Sequence, residues 1–471
     1  MNRLVTYEAP RGAVLRDDYE VKVRVPNGEW QQAAVYEVRV DMHNVREASM
    51  VYFDMEGAVE VSVTCRRQEL KEAVIRPLSY AVPFRLERDT ILLTLDRPRK
   101  LSIECNGDRF GNLHLFANPI ETDAPNFDDP NVAAIRPGIH RLPDLLKKVS
   151  SADILYFMPG MHYLEETLLP IPSGKTVYIA GGAVFVGSLV CDHVQDVAIR
   201  GRGLLYLTDF HRFSAFRGIR IVFSKNISVD GITIVDPPHY SIFIGKSQGI
   251  SIRNFKSFST RGWSDGIDMM ASEGIDIDDV FMRNSDDCIA VYGSRWDFYG
   301  DARDVTVRNS VLWADVAHAI MVGTHGNHQK NGDTIEALRF ENIDILEHHE
   351  PQPNYWGAMA INAGDGNTVR SVVFESIRVE EIEQGQLFDV RVIHNKDYNP
   401  MPGQRIEQVV FRNIHYAGGS ANPSRIYGFD NERITTGLIF DNLWIGDEQV
   451  DTINHPALDV NEYARNITFI K

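Results

Sequence analysis

"ISVDGITI" (Ile227–Ile234) is a short apolar–polar alternation, a turn-prone corner at Asp230–Gly231, and a second short alternation. The pattern returns as "ISIRNFKSF" (Ile250–Phe258), "IDIDDVFM" (Ile275–Met282), "VTVRNSVL" (Val305–Leu312) and "LRFENIDI" (Leu338–Ile345). It returns again as "VVFESIRV" (Val372–Val379), "VVFRNIHY" (Val409–Tyr416) and "LIFDNLWI" (Leu438–Ile445), and looser copies begin near Val177. The corners are Gly231, Asn254, Asp279, Asn309, Asn342, Ser376, Asn413 and Asn442, spaced by 23, 25, 30, 33, 34, 37 and 29 residues. Period-two alternation marks strands, and self-similarity at this period marks a solenoid whose coils bury their inward side chains only by stacking. Asn, Asp and Gly accept left-handed backbone, so a column of them suits a repeated corner. The expected fold is all-β, a right-handed parallel β-helix. The longer, more uniform blades of a β-propeller fit the spacings less well.

Upstream, "EVKVRV", "AVYEVRV", "VEVSVTC", "TILLTL" and "KLSIEC" alternate in the same sense without the repeat, which predicts an antiparallel β-sandwich over residues 1–124. "PNFDDPNVAAIRPG" reads as a linker over 125–139, and the catalytic β-helix is expected over 140–471. It opens on an amphipathic helix, with Leu142, Leu145, Leu146 and Val149 on one face, placed to plug the solenoid's end.

A net charge of −17 over 471 residues argues against nucleic acid and anionic membranes as partners. No apolar run is long enough to span a bilayer. The four cysteines form no CxxC pair, so no metal knuckle is expected; a Cys65–Cys105 bridge stays open. "MNRLVTYEAPRGAV" lacks a secretory pattern, which reads as cytoplasmic as written, or secreted if a leader precedes it. The sequence assigns no cofactor and no oligomeric state.

Chemistry concentrates off the corner column. Asp265 lies in "GWSDGIDMMAS", Asp286 and Asp287 in "NSDDCIAVYG", and His318 in "AHAIMVGTHG", each just before an apolar strand. Equivalent positions of stacked coils lie about 4.8 Å apart, so residues sharing a phase gather on one face. Crowded carboxylates cannot all ionise easily, which splits them into a proton donor and a base. Inverting glycoside hydrolysis needs that division, at a separation of roughly 6.5–9.5 Å. Asp278–Asp279 falls on the corner column and reads as a turn. Among the loop histidines, His325 and His328 with His348 and His349 are weak metal candidates.

"WSDGID", "NSDDC" and "AHAIMVGT" together resemble the polygalacturonase-like family of β-helical glycoside hydrolases, a pectin-lyase-like solenoid clan shared with β-helical dextranases. The resemblance covers about residues 177–445. It implies that Asp286 is the general acid, that Asp265 and Asp287 hold the attacking water, and that His318 tunes the acid. It implies a carbohydrate substrate, cleaved at α-glycosidic bonds. The pattern departs from the family at Trp263 and Ser264, where Asn and Thr are usual, and at Ala317 and Ala319, where glycines are usual. The family's uronate-binding R-I-K motif has no counterpart: "GAMAIN" sets Met359 and Ile361 where cations are expected. Dextranases cleave neutral glucans, share the acid pair and carry an N-terminal β-sandwich. Aromatic faces for sugar stacking are expected at Trp263, Tyr292, Trp296, Tyr299, Tyr355 and Trp356. His239 and His325 are further substrate-binding candidates, and His239, Arg295, Lys330 and Arg391 are substitutes for the missing cations. Two other functions fit the same fold: a Ca²⁺-dependent polysaccharide lyase, whose base would be an Arg or Lys, and a glycan-binding solenoid without catalysis.

Overall fold

The computed structural model describes residues 2–214, 216–419 and 421–471. Parallel ladders link successive coils into a right-handed β-helix that holds thirty strands among the described residues. The repeat read from the sequence is its unit. All eight corner residues have positive φ, from 46° at Asn254 to 83° at Gly231. Corner amides also bond along the stack: Asn342 Nδ2 donates to Asn309 Oδ1 at 2.8 Å, and Asn442 Nδ2 to Asn413 Oδ1 at 2.9 Å.

A second left-handed column was not visible in the sequence. It runs through Asn226, Gly249, Gly274, Asp304, Ala337, Ser371, Gln408, Gly437 and Asn466, one to three residues into each coil's longer strand. One expectation needs correction. The supposed linker carries strands Val132–Ile135 and Gly138–His140, which pair in parallel with Ile154–Phe157 and Gly160–Pro170, so coil stacking begins there. The helix Leu142–Ser151 follows this first coil and buries Leu145 and Val149 in the solenoid core.

The interior is a column of apolar side chains. Phe340, Phe374, Phe411, Phe440 and Phe469 occupy one register position in five coils, with ring centroids 5.0, 4.8, 5.2 and 5.2 Å apart. Each ring fills the space left by its neighbours, so none can be removed without a void.

The N-terminal module is a sandwich of a six-stranded and a five-stranded sheet among the described residues. It is not wholly antiparallel as expected: Asp108–Pro119 pairs in parallel with Arg46–Glu56. The module does not hang from a tether. Val38, Val40, Met50, Tyr52 and Phe116 form one apolar core with Phe258, Phe281, Val311, Trp313 and Leu346 of the solenoid. Buried ion pairs cross or border the same interface, Arg202 to Asp54 at 3.0 Å and Arg283 to Asp315 at 3.0 Å. All four cysteines are buried free thiols. No helix among the described residues is long and apolar enough to cross a membrane.

Phe374→Ala should destabilise the protein by about 3–5 kcal/mol, because the coils above and below cannot collapse into the void. Equilibrium urea unfolding measures it. A loss under ~1 kcal/mol would mean that the aromatic column is not a tight stack.

Candidate active site

The ladder bonds that enter three successive strands fix the site. Gly266 N donates to Asp287 O at 2.8 Å and Cys288 N to His318 O at 2.9 Å, extending the pairing of Ile267–Met270, Ile289–Tyr292 and Ile320–Gly323 by two residues. Asp265, Asp287 and His318 therefore sit at one position of three coils. The in-phase partner of Asp265 is Asp287, not Asp286; Asp286 stands one residue earlier, on the turn, and is partly exposed. Close stacking requires glycine after Asp265, since a Cβ on Gly266 would lie 2.3 Å from the Cys288 carbonyl oxygen.

One carboxylate oxygen from each of Asp265, Asp286 and Asp287 lies within 4.8 Å of the others. Among the described residues this trio is the only group placed to share a cation. The loop histidines do not form one. His348 accepts from Gly357 N at 3.2 Å and pairs with Ala317 O at 2.8 Å, and burial holds its pKa down at about 3.

Each acid has a different environment. Asp286 accepts backbone N–H bonds from Trp263 at 2.8 Å and from Asp287 at 3.0 Å. Burial and the Asp287 charge push its pKa up to about 6, against those two bonds and His318. Asp287 is 1% exposed. It accepts from the His318 backbone at 3.1 Å, from Tyr292 Oη at 3.1 Å and from Tyr355 Oη at 3.5 Å, and it pairs with His318 Nδ1 at 2.7 Å. Burial alone would lower His318, but Asp287 more than offsets it and raises His318 above the ordinary histidine range. His318 Nε2 is buried with no partner. Its backbone approach uses Ala317 at φ 66°, so the left-handed turn survives where the resembling family has glycine.

Asp268, one turn of alternation past Asp265, was missed. It is 0% exposed, and neither of its oxygens finds a donor; Asp265 Oδ1 also has none. Burial, then neighbouring carboxylates, raise both acids well above the usual range. Period-two reading of "IDMM" could have found it, since Ile267 and Met269 face inward and Asp268 does not. Glu350 was missed too: burial raises it to about 7 beside His318, Asp286 and Asp287.

The proposed sugar contacts divide. Trp263 and Trp296 are 52% and 45% exposed, and Tyr299 is 59% exposed. Tyr292, at 2% exposure, offers no face and instead holds Asp287. His325 packs its edge on Tyr292 at 5.0 Å, and Trp356 donates its indole N–H to Glu350 O at 2.9 Å. Burial and the charges of Arg217 and Arg295 lower His239 to about 3, so it is neutral and replaces no cation. Arg391 is buried against Asp389 at 2.7 Å, and Lys330 is exposed on a loop. Arg295 donates to Tyr240 Oη at 2.8 Å and lies over Tyr292 and Trp296. Met359 and Ile361 point into the core; the outward positions of that strand are Ala360 and Asn362, one residue on from the expected pair. Asn362 donates to Asp389 at 3.1 Å.

The model of the family described as Glycosyl hydrolases family 28 matches residues 214–456, just over half of the chain. "Probable exopolygalacturonase B" of Aspergillus terreus is 24% identical over 218 residues, 41% of this chain and 47% of its own length; the chain thus spans under half of that relative. Among solved structures, Dex49A from Penicillium minioluteum superposes with a TM-score of 0.67 at 16% identity, over 99% of this chain and 96% of its own. A hyperthermoactive exopolygalacturonase from Thermotoga maritima superposes with a TM-score of 0.54 at 13% identity, over 71% of this chain and 92% of its own.

Asp268→Asn should stabilise the protein at pH 7 by about 1–3 kcal/mol, because an amide carries no charge into this site. The raised folded-state pKa means that ionisation costs stability as pH rises above the unfolded value near 3.9. The gain should therefore vanish as pH falls to about 3.9. Melting temperatures of both proteins across pH 3–8 measure it; an equal difference at every pH would refute the account.

Proposed function

The chain belongs to family 28 of the glycosyl hydrolases, and from that starting point we propose that it cleaves α-glycosidic bonds in a poly- or oligosaccharide by an inverting mechanism. Asp286 protonates the leaving oxygen, and Asp265 and Asp287 activate the attacking water. The carrying observation is the meeting of these three carboxylates within 4.8 Å in unlike surroundings. Asp286 alone of the three is partly exposed, and at about 6 its pKa leaves a usable protonated fraction in mildly acidic to neutral water. His318, held charged by Asp287, faces the pair from the next coil and keeps the acid from rising further.

One observation favours a second stereochemical reading. Oxygens within 4.8 Å of one another are also compatible with the carboxyl separation of roughly 5–5.5 Å at which one acid attacks the sugar directly and configuration is retained. The first anomer released, followed by proton NMR, separates the two: inversion gives β from an α linkage and retention gives α.

An uncharged sugar is favoured over a uronate, since Ala360 and Asn362, on the outward positions of their strand, carry no charge and the Asn362 amide is engaged by Asp389. A lyase on this fold needs a basic Arg or Lys. Arg295, whose charge bears on Asp265 and Asp268, has its pKa raised by Tyr240, Tyr292, Asp268 and Asp265 against the effect of burial, and so stays a cation.

Asp286→Asn should lower kcat by about 10²–10⁴-fold without loss of fold. In the wild type, kcat/KM should fall as pH rises through about 6, where Asp286 loses its proton. His318→Gln removes a positive charge that favours ionised Asp286, so that alkaline limb should move to higher pH. A limb that moved down or stayed fixed would place the acid elsewhere.

A further inference from the structure

The N-terminal module reaches the site. Strands Val35–Val40 and Arg46–Glu56 pair antiparallel, and the turn between them, residues 41–45, lands on the segment that carries Asp286. Met42 N donates to Ser285 Oγ at 3.1 Å, and Ser285 directly precedes Asp286. Asp41 N donates to Asp315 Oδ2 at 3.2 Å, a carboxylate already gripped by Arg283. Asp41 takes φ 62°, and its own carboxylate accepts from His43 N at 3.0 Å, which fixes the tip. His43 stands exposed, its ring 6.2 Å from that of His349.

The solenoid's contribution to the same place is unusual. Trp263 has φ 69°, a conformation that costs a bulky residue energy and that aims its N–H at Asp286. Its neighbour Gly262 lies against the Met42 thioether, 3.7 Å from an ideal Cβ. Phe213 is 70% exposed, 6.4 Å from Trp263, and the Arg212 guanidinium lies across both rings at 5.6 and 5.2 Å. Two large exposed aromatic faces and a rigid hairpin thus meet beside the side chain assigned as the acid. Exposed aromatic faces of this kind are what sugar rings stack on.

We propose that the 41–45 hairpin of the N-terminal module, with Trp263 and Phe213, forms the wall that holds the saccharide unit on the Asp286 side of the cleaved bond. This inference rests on Asp286 being the acid. It makes the module part of the substrate cleft rather than a passive support, and the shared apolar core keeps the wall in place.

The test uses the full-length protein with two linear hexasaccharides, one of α-1,6-linked glucose and one of α-1,4-linked galacturonic acid. Binding is measured by calorimetry and turnover by product analysis. His43→Ala and Phe213→Ala are both exposed and should leave the melting temperature unchanged. Each should weaken hexasaccharide binding and raise KM by roughly three- to tenfold, the worth of one ring contact, with the change falling on KM rather than kcat. Combining them should weaken binding further. Wild-type affinity and KM in both single variants would overturn the proposal, as would losses that track a falling melting temperature. If those variants behave as wild type while Asp286→Asn abolishes cleavage, this inference fails and the hydrolase reading stands. If the wild type neither binds nor cleaves either hexasaccharide, both fail.

Discussion

Parallel pairing between coils is the constraint from which the rest follows. A backbone N–H must find a carbonyl in the adjacent coil, so a residue's neighbours across the stack are fixed by register and not by loop length. Asp265 and Asp287 are 22 residues apart and Asp287 and His318 are 31 apart, yet all three occupy one column. The extra residues leave as loops between strands, where they do not disturb the ladder. One rule thus aligns the phenylalanine column inside, the asparagine column at the corner and the acidic column at the cleft.

The same stacking concentrates charge, and the molecule resolves this differently in two places. At the interface between modules, buried acids have full partners: Asp54 takes both Arg202 contacts at 3.0 and 3.1 Å, and Asp315 takes three from Arg283. In the cleft, Asp265 Oδ1, both Asp268 oxygens and His318 Nε2 are buried without partners. Native proteins rarely leave such groups unsatisfied unless a proton, water or ligand completes them. The interface acids are fully paired, whereas the acidic column keeps buried groups unpaired at a cost in stability.

What could be read from the sequence depended on whether a position restricts residue type. The corner column showed because Gly231, Asn254 and Asp279 are what left-handed backbone tolerates. Its companion was hidden because Ala337, Ser371 and Gln408 adopt the same φ with no such signature. The acid trio was legible from phase, but only to within one residue, which placed Asp286 in the column that Asp287 occupies. The same slip put Met359 and Ile361 on the cleft floor in place of Ala360 and Asn362, because a shift of one reverses every side chain of a strand. The hairpin contact from Met42 to Ser285 spans 243 residues of sequence and leaves no local trace.

Charge also bears on what the cleft accepts. The chain is strongly negative, and a further anion beside Asp265, Asp286, Asp287, Asp268 and Glu350 would add to the repulsion that already holds several of these acids towards the protonated form. A uronate would need cations within reach to offset it. Arg391 and Arg425 continue the outward face of Ala360 and Asn362 on the next coils, but both engage Asp389, at 2.7 and 3.0 Å, and so offer one net positive charge between them. Arg295 is turned to Tyr240 and set among Asp265 and Asp268, whose charge it already answers. A neutral sugar asks for no such compensation, and the faces of Trp263 and Trp296 stand exposed for a ring to lie on.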